Sequence, residues 1–279
     1  MNRLSKEDRV RVIAALVEGN SIRATCRMTG VAKNTVVKLL VDLGLACTSY
    51  QDRMIRGLRC RRIQCDEIWA FCYAKEKNLP GHLKGQFGFG DVWTWTAMDA
   101  DTKLVPSFMI GRRDAPTARE FMLDLAGRVI NRIQLTTDGY KVYLDAVENA
   151  FEFEVDFAQL VKLYGEAPEG DVRYSPAVCN GSKKTVITAL PDKDHVSTRY
   201  VERQNLTMRM SMRRFARLTN GFSKKVENLV HAVALHYMHY NFARIHQTLG
   251  TTPAVAAGLS DHPWTIAEIV GLLDSESSN

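Results

Sequence analysis

Long apolar runs are missing from this chain. Its longest, such as "IVGLL" near the C-terminus, fall far short of the roughly 20 residues a bilayer-spanning helix needs. The opening "MNRLSKEDRV" is charged and has no apolar core, so no signal peptide is expected. Both features predict a cytoplasmic protein with no membrane partner. Six cysteines are present (Cys26, Cys47, Cys60, Cys65, Cys72 and Cys179), but no two form a C-x-x-C pair. They read as reduced, mostly buried thiols, and the spacing argues against a zinc site. Glycine (18) and proline (8) are modest among 279 residues, 46% hydrophobic and 24% charged, the composition of an ordinary globular protein. That length suits one large domain with appendages, or two modest domains.

What is present is positive charge, unevenly spread. The net charge is only +6, but "RMIRGLRCRR" holds five arginines in ten residues and "RMSMRRFAR" four in nine. Each run is either a solvated face or a nucleic-acid contact.

The first 46 residues read as a small all-α unit. Ser5 and Asp8 form a capping box, with Asp in place of Glu, before a helix over 5–17 whose apolar positions are Val10, Ile13, Ala14 and Val17. Ser21 caps a second helix, "IRATCRMT", Gly30 makes a turn, and "AKNTVVKLLVDLG" reads as a third helix closed by Gly44. Three short helices with a glycine turn describe a helix-turn-helix DNA-binding domain, or else a trihelical packing unit. As a DNA reader it would present Lys33, Asn34, Thr35 and Lys38 to the major groove. Residues 47–60 then read as a basic linker, carrying Arg56 and Arg59, with Arg61 just beyond.

From residue 61 the periodicity changes to strands. "RIQCDEIWAFCYA", "DVWTWTAMDA" and "LVPSFMIGR" read as three strands, with Asp99 and Asp101 as turn residues in "DADTK". "APTAREFMLDLAGRVI" reads as a helix, "RIQLTTDGY" as a strand ending at Asp138, "KVYLDAVENAF" as a helix and "VDFAQLVKLY" as a fifth strand. Three antiparallel strands followed by alternating helix and strand give an α/β fold, an RNase H-like mixed sheet flanked by helices. Trp93 and Trp95 alternate on one strand face and read as core. Histidines 231, 236, 239 and 246 lack the i, i+4 spacing of a helical metal pair and read as structural.

Adjacent carboxylates, Asp66 and Glu67, sit inside the apolar first strand, where a buried charge needs a metal or a partner. In the RNase H-like order the first and fourth strands are neighbours, so Asp66 can meet Asp138. Clustered carboxylates are the hard ligands that two Mg²⁺ ions require. Strand alternation sends Glu67 to the opposite face, unless a bulge reverses it. Glu202, with Asn205 and Arg209 on its helix face in "STRYVERQNLTMRMSMRRFARLT", supplies a third carboxylate from above the sheet, or is an ordinary exposed glutamate. Between Asp138 and Glu202, residues 165–195 read as an insertion or long DNA-facing loop, with Lys183, Lys184 and Lys193 as phosphate contacts.

"CDEIWAF", "TTDGY" and "YVERQNLTMRMSMRRFARLTNGFSKK" together resemble bacterial insertion-sequence transposases of the DDE class, most of all the family named for the first insertion sequence. "HYMHYNFARIHQTLGTTPAVAAG" is similar to the tail these share with integrases. The resemblance implies a catalytic domain over 61–250 and a tail over 251–279. It also implies Asp66, Asp138 and Glu202 as catalytic, metal-holding residues, with two Mg²⁺ ions per site and Mn²⁺ as substitute. Arg213 and Arg214 join the DNA contacts. The implied activity is metal-dependent cleavage at terminal inverted repeats and strand transfer, by a homodimer or higher oligomer on double-stranded DNA at the bacterial nucleoid. Some family members begin with a zinc module that no cysteine pattern supports here. The competing readings are a helix-turn-helix regulator with a relic RNase H-like domain, and a structure-specific DNA nuclease.

Overall fold

A computed structural model describes residues 4–165, 179–216 and 220–275. Helix α1 (Lys6–Val17) starts at the predicted cap, where Ser5 Oγ accepts from the Asp8 amide at 3.1 Å. It buries Val12 and Ala15 as well as Ile13 and Val17, a wider stripe than expected, because it also packs against a C-terminal helix. Helix α2 (Ile22–Thr29) is capped by Ser21 and stopped by Gly30, whose φ of +74° is the left-handed conformation glycine adopts freely.

Helix α3 (Lys33–Met54) overturns one expectation. It does not stop at Gly44 but continues for ten more residues, so most of the supposed basic linker is helical. Gly44 is there for packing: a Cβ on it would lie 2.5 Å from His231 Cβ and 2.7 Å from His231 Cα, on a helix that crosses at this point. Two turns further on, buried Gln51 donates from Nε2 to the Ala234 carbonyl of that same helix at 3.1 Å. After Met54 the chain buries Ile55, Leu58 and Cys60 and leaves Arg56, Arg59 and Arg61 exposed.

Strands β1 (Arg62–Cys72), β2 (Gly90–Asp99) and β3 (Ser107–Gly111) form an antiparallel meander. Helix α4 (Ala115–Ala126), capped by Asp114, leads to β4 (Ile133–Asp138), which pairs parallel to β1. Helix α5 (Val142–Phe151) leads to β5 (Val155–Tyr164), parallel to β4. The order β3-β2-β1-β4-β5 is that of the RNase H-like fold, as expected. A sixth strand, β6 (Cys179–Thr188), extends the sheet antiparallel to β5. The insertion-or-loop reading of 165–195 is corrected to that extent; residues 166–178 lie outside the described residues. β6 is exposed along nearly its whole length, so backbone pairing places it and no buried face marks it in the sequence.

Helix α6 (Arg199–Ser211) is followed by a 3₁₀ turn at Arg213–Phe215; Arg217, in the predicted basic run, lies outside the described residues. Helix α7 (Val226–Met238) runs into a π-helical turn at His239–Ala243, and α8 (Pro253–Ala256) and α9 (Ile266–Ser275) close the chain. α9 packs on α1 and α3, and Arg9 pairs with Asp274 at 3.3 Å, so this segment is built into the body rather than trailing from it. None of the described helices is long and apolar enough to cross a membrane.

β1 divides the core by parity. Ile63 and Cys65 join Trp95, Phe121, Tyr143 and Phe157 in a core that also takes in Ile13, Leu43 and Val270 of the flanking helices. Ile68, Ala70 and Cys72 face Val201 and Met208 of α6 and Val233 and Tyr237 of α7. One sheet face therefore carries α4 and α5, the other α6 and α7.

Gly44→Ala tests the crossing. Alanine in a free helix interior adds about 1 kcal/mol of stability, whereas here overpacking against the α7 backbone costs about 1–3 kcal/mol. The expected outcome is a melting temperature lowered by roughly 5 °C, read by circular dichroism.

Candidate active site

The site forms where β4 stops. Its ladder with β1 pairs Arg62 with Gln134, Ile63 with Leu135 and Gln64 with Thr136, and two residues further on the same register sets Asp66 beside Asp138. Asp66, Glu67 and Asp138 each place a carboxylate oxygen within 4.8 Å of the other two. The expectation that Glu67 stands apart is thus overturned. Alternation does direct it to the α4–α5 face, where Arg113 and Tyr143 meet it. But β4 ends at Asp138, so no strand stands beside Glu67 on that edge to separate it from the other two carboxylates.

Each carboxylate is held differently. Asp66 Oδ1 accepts from the Glu67 amide at 2.9 Å, and Oδ2 accepts from the Asn205 side-chain amide of α6 at 2.9 Å. Burial, then the charges of Glu67 and Asp138, push its carboxyl up to about 7. Glu67, with its side chain 1% exposed, accepts on Oε2 from Arg113 Nε at 3.1 Å. The Tyr143 hydroxyl lies near Glu67 outside hydrogen-bonding geometry, and Oε1 stays buried with no partner among the described residues. Burial and then the Asp138 charge raise the Glu67 carboxyl too. Asp138 is half-exposed; Oδ1 accepts from the Tyr140 amide at 2.9 Å, while Oδ2 lies 3.6 Å from Arg113 Nη2.

Arg113 is the residue the sequence reading missed. It precedes the α4 cap, reaches both Glu67 and Asp138, and lies over the rings of Tyr140 at 4.1 Å and Trp93 at 4.9 Å. The Tyr140 hydroxyl donates to its carbonyl at 2.8 Å. No carboxylate motif predicts such a cation; the only signal is the pair Arg112-Arg113 in front of a helix cap.

Glu202 stands just outside the cluster. Its Oε1 accepts from Thr198 Oγ1 at 2.6 Å, and its Oε2 is paired with Lys162. Its charge still reaches Asp66, where it adds to the upward shift. Asn205, one turn on, is buried and bonded to Asp66, and Arg209 follows on α6, partly exposed.

The other candidates fall in three places. Lys33, Asn34 and Lys38 line one cleft together with Arg213 and Arg214, and Thr35 is exposed beside them. Arg56 contacts the Gly127 carbonyl after α4, and with Arg59 and Arg61 it flanks the start of β1, at the far end of β4 from Asp138. Lys183 and Lys184 are exposed on β6; Lys184 donates to the Lys193 carbonyl and lines a smaller pocket at the start of α6 with Arg62 and Arg199.

The donor set fits a hard divalent cation. All three clustered groups are carboxylates, one buried oxygen lacks a donor, and two of the three carboxyls are held above their ordinary range by mutual repulsion and burial.

No protein-family model and no curated protein matches the chain. Among solved structures it is similar to a Mos1 transposase paired-end complex with left transposon end, at 12% identity and a TM-score of 0.25 over 56% of this chain and 60% of that one. It is similar to the Mos1 mariner paired end complex with Mn at 12% identity and 0.22, over 55% of this chain and 57% of that one. For the Mos1 Strand Transfer Complex the figures are 12% and 0.25, over 85% and 76%. The chain thus spans about 60% of the length of the first of these, and likenesses this slight assign no residue a role.

Asp66 links the site to pH. A carboxyl raised to about 7 from its ordinary 3.8 stabilises the metal-free fold below pH 4, and that contribution is lost as pH rises through 7. Its full size is on the order of 2–4 kcal/mol. Metal-free protein should therefore melt lower at pH 8 than at pH 5, with Mg²⁺ restoring more at pH 8. Asp66→Asn should flatten both trends in calorimetry; an unchanged pH dependence would contradict the assignment.

Proposed function

We propose that this protein is a DNA transposase that cuts and joins phosphodiesters at one carboxylate centre. The observation that carries the reading is the meeting of Asp66, Glu67 and Asp138 at the open end of β4 in an RNase H-like sheet, with Glu202 and Asn205 above them on α6. Asp66, Glu67 and Asp138 would hold one Mg²⁺ ion, and Asp66 with Glu202 a second, with Mn²⁺ as substitute. Such an ion pair supplies positive charge at the attacking and leaving oxygens of the phosphodiester.

The chain's own residues do the positioning. Asn205 fixes the rotamer of Asp66, and the Tyr140 amide fixes that of Asp138. Arg113 balances Glu67 and Asp138 from the α4 side, and its two aromatic neighbours keep it there. Lys162 holds Glu202 at the rim. Helices α1–α3 serve as a helix-turn-helix that reads the terminal inverted repeats of a mobile element, with Lys33, Asn34, Thr35 and Lys38 toward the major groove. Water opens the phosphodiester at each element end and leaves a 3′-hydroxyl, which then attacks target DNA at the same centre. No covalent bond to the protein is needed. Both ends must react together, so the working form is a homodimer or larger.

The test is an assay on DNA carrying the repeats that flank the gene, wild type beside Asp138→Ala. Nicking and joining should require Mg²⁺ or Mn²⁺ and fall by on the order of a hundredfold or more in the variant, with repeat binding retained. Tight repeat binding with no cleavage under either metal would favour the regulator reading. Cutting of branched DNA without joining would favour the nuclease.

A further inference from the structure

A second charged site lies away from the carboxylates. A cleft of about 1200 Å³ separates the starts of α2 and α3 from the end of α6, the turn after it and the start of α7. Arg23, Lys33, Lys38, Arg213, Lys224 and Lys225 line it, and no acidic side chain does among the described residues. Arg214 braces one wall by donating to Ser223 Oγ at 2.7 Å. Two acids sit at its edge: Asp42 pairs with Lys38 at 2.6 Å, and Glu227 follows Lys225 in the first turn of α7, where its charge acts on His231. The cations still outnumber the acids, and their like charges repel one another unless an anion fills the hollow.

Two helix starts add to this. α3 begins behind Ala32 and α7 behind Lys225, neither with a side-chain cap bond, and both open on the cleft. α3 puts Lys33 at the positive end of its dipole with no acid in the first turn, while α7 opens behind Lys225 with Glu227 in its first turn. Its walls are also closely packed. A Cβ on Gly19, in the α1–α2 turn, would come 3.1 Å from the Ser211 carbonyl at the end of α6, and Gly44 locks α3 to α7.

The chemistry selects the ligand. Phosphates satisfy a lining whose charged side chains are all cationic, but single strands also need free aromatic faces for base stacking. Phe222 is the one aromatic on the lining besides His236, and its ring is occupied by Phe71 at 4.7 Å and by the Lys224 ammonium at 3.7 Å. We propose that this cleft grips one sugar–phosphate strand of duplex DNA outside the reacting centre, with Arg23, Lys224 and Lys225 added to the contacts. Ser223 bridges to Cys72, six residues beyond Asp66 on β1. That is about 20 Å along the strand, or about six base pairs of duplex from the carboxylates. This spacing rests on reading the carboxylate cluster as the active centre.

The test uses the full chain and a random-sequence duplex, with fluorescence anisotropy followed across a salt series. Lys224→Ala/Lys225→Ala should lower the slope of log affinity against log salt by about 1.8 and weaken binding about tenfold at physiological salt. Lys6→Ala/Lys77→Ala, which removes the same charge from exposed sites elsewhere, should change neither. A wild-type slope in the first variant, or an equal loss in the second, overturns the proposal. So does a single-stranded oligonucleotide that binds as tightly and loses as much. Failure here is separable from failure at the carboxylates. DNA cut by protein whose slope ignores Lys224 and Lys225 overturns the cleft alone, while a variant-sensitive slope without cleavage under any metal overturns the active-site reading alone.

Discussion

Mutual repulsion among three close, partly buried carboxylates is the constraint around which the rest of this structure is arranged. Asp66 and Glu67 are carried into the sheet by a strand whose other residues are needed in two cores, and Asp138 is brought to them because β4 stops there. Three such groups in a partly desolvated hollow cannot all ionise without compensation. The fold offers part of it: the Asn205 amide on one side, Arg113 on the other, and the raised carboxyl of Asp66 for what remains. A divalent cation is the ligand that resolves the whole imbalance.

Distant features follow from that constraint. α6 must lie across the β1 face to deliver Asn205, and it is anchored there by Val201 and Met208 against Ile68 and Ala70, and by Gln64, which accepts from the Tyr200 and Val201 amides. α7 packs beside α6, and α3 crosses α7 at Gly44 so closely that the N-terminal helices are joined to the helices on the sheet. That contact holds the two walls of the basic cleft in register. The carboxylate centre and the cationic cleft are thus tied together through packed helices.

Much of this was legible in the sequence because the signals were local. Ser5 and Ser21 marked helix starts by their caps, and strand runs split by turn residues gave the sheet order. Asp66 and Asp138 stood out as acids in or at the end of apolar strands, and the structure brings them together, while Glu202 lies just outside their cluster. The misreadings share one cause, dependence on a neighbour not visible along the chain. A glycine that ends a helix and one that admits a crossing helix look alike until His231 is seen against Gly44. Strand alternation was right about the face of Glu67 but silent on where the adjacent strand ends. β6 has no buried side to advertise. Arg113 acts through rings and carboxylates on three other segments of the chain.

The most direct measurement is the anomalous scattering of Mn²⁺ in crystals of the protein. The account predicts a peak bonded to oxygens of Asp66, Glu67 and Asp138, with Arg113 displaced from at least one of its two carboxylates. A saturating Mn²⁺ soak that leaves this hollow empty, or that places the ion at Glu202 without Asp138, would contradict it.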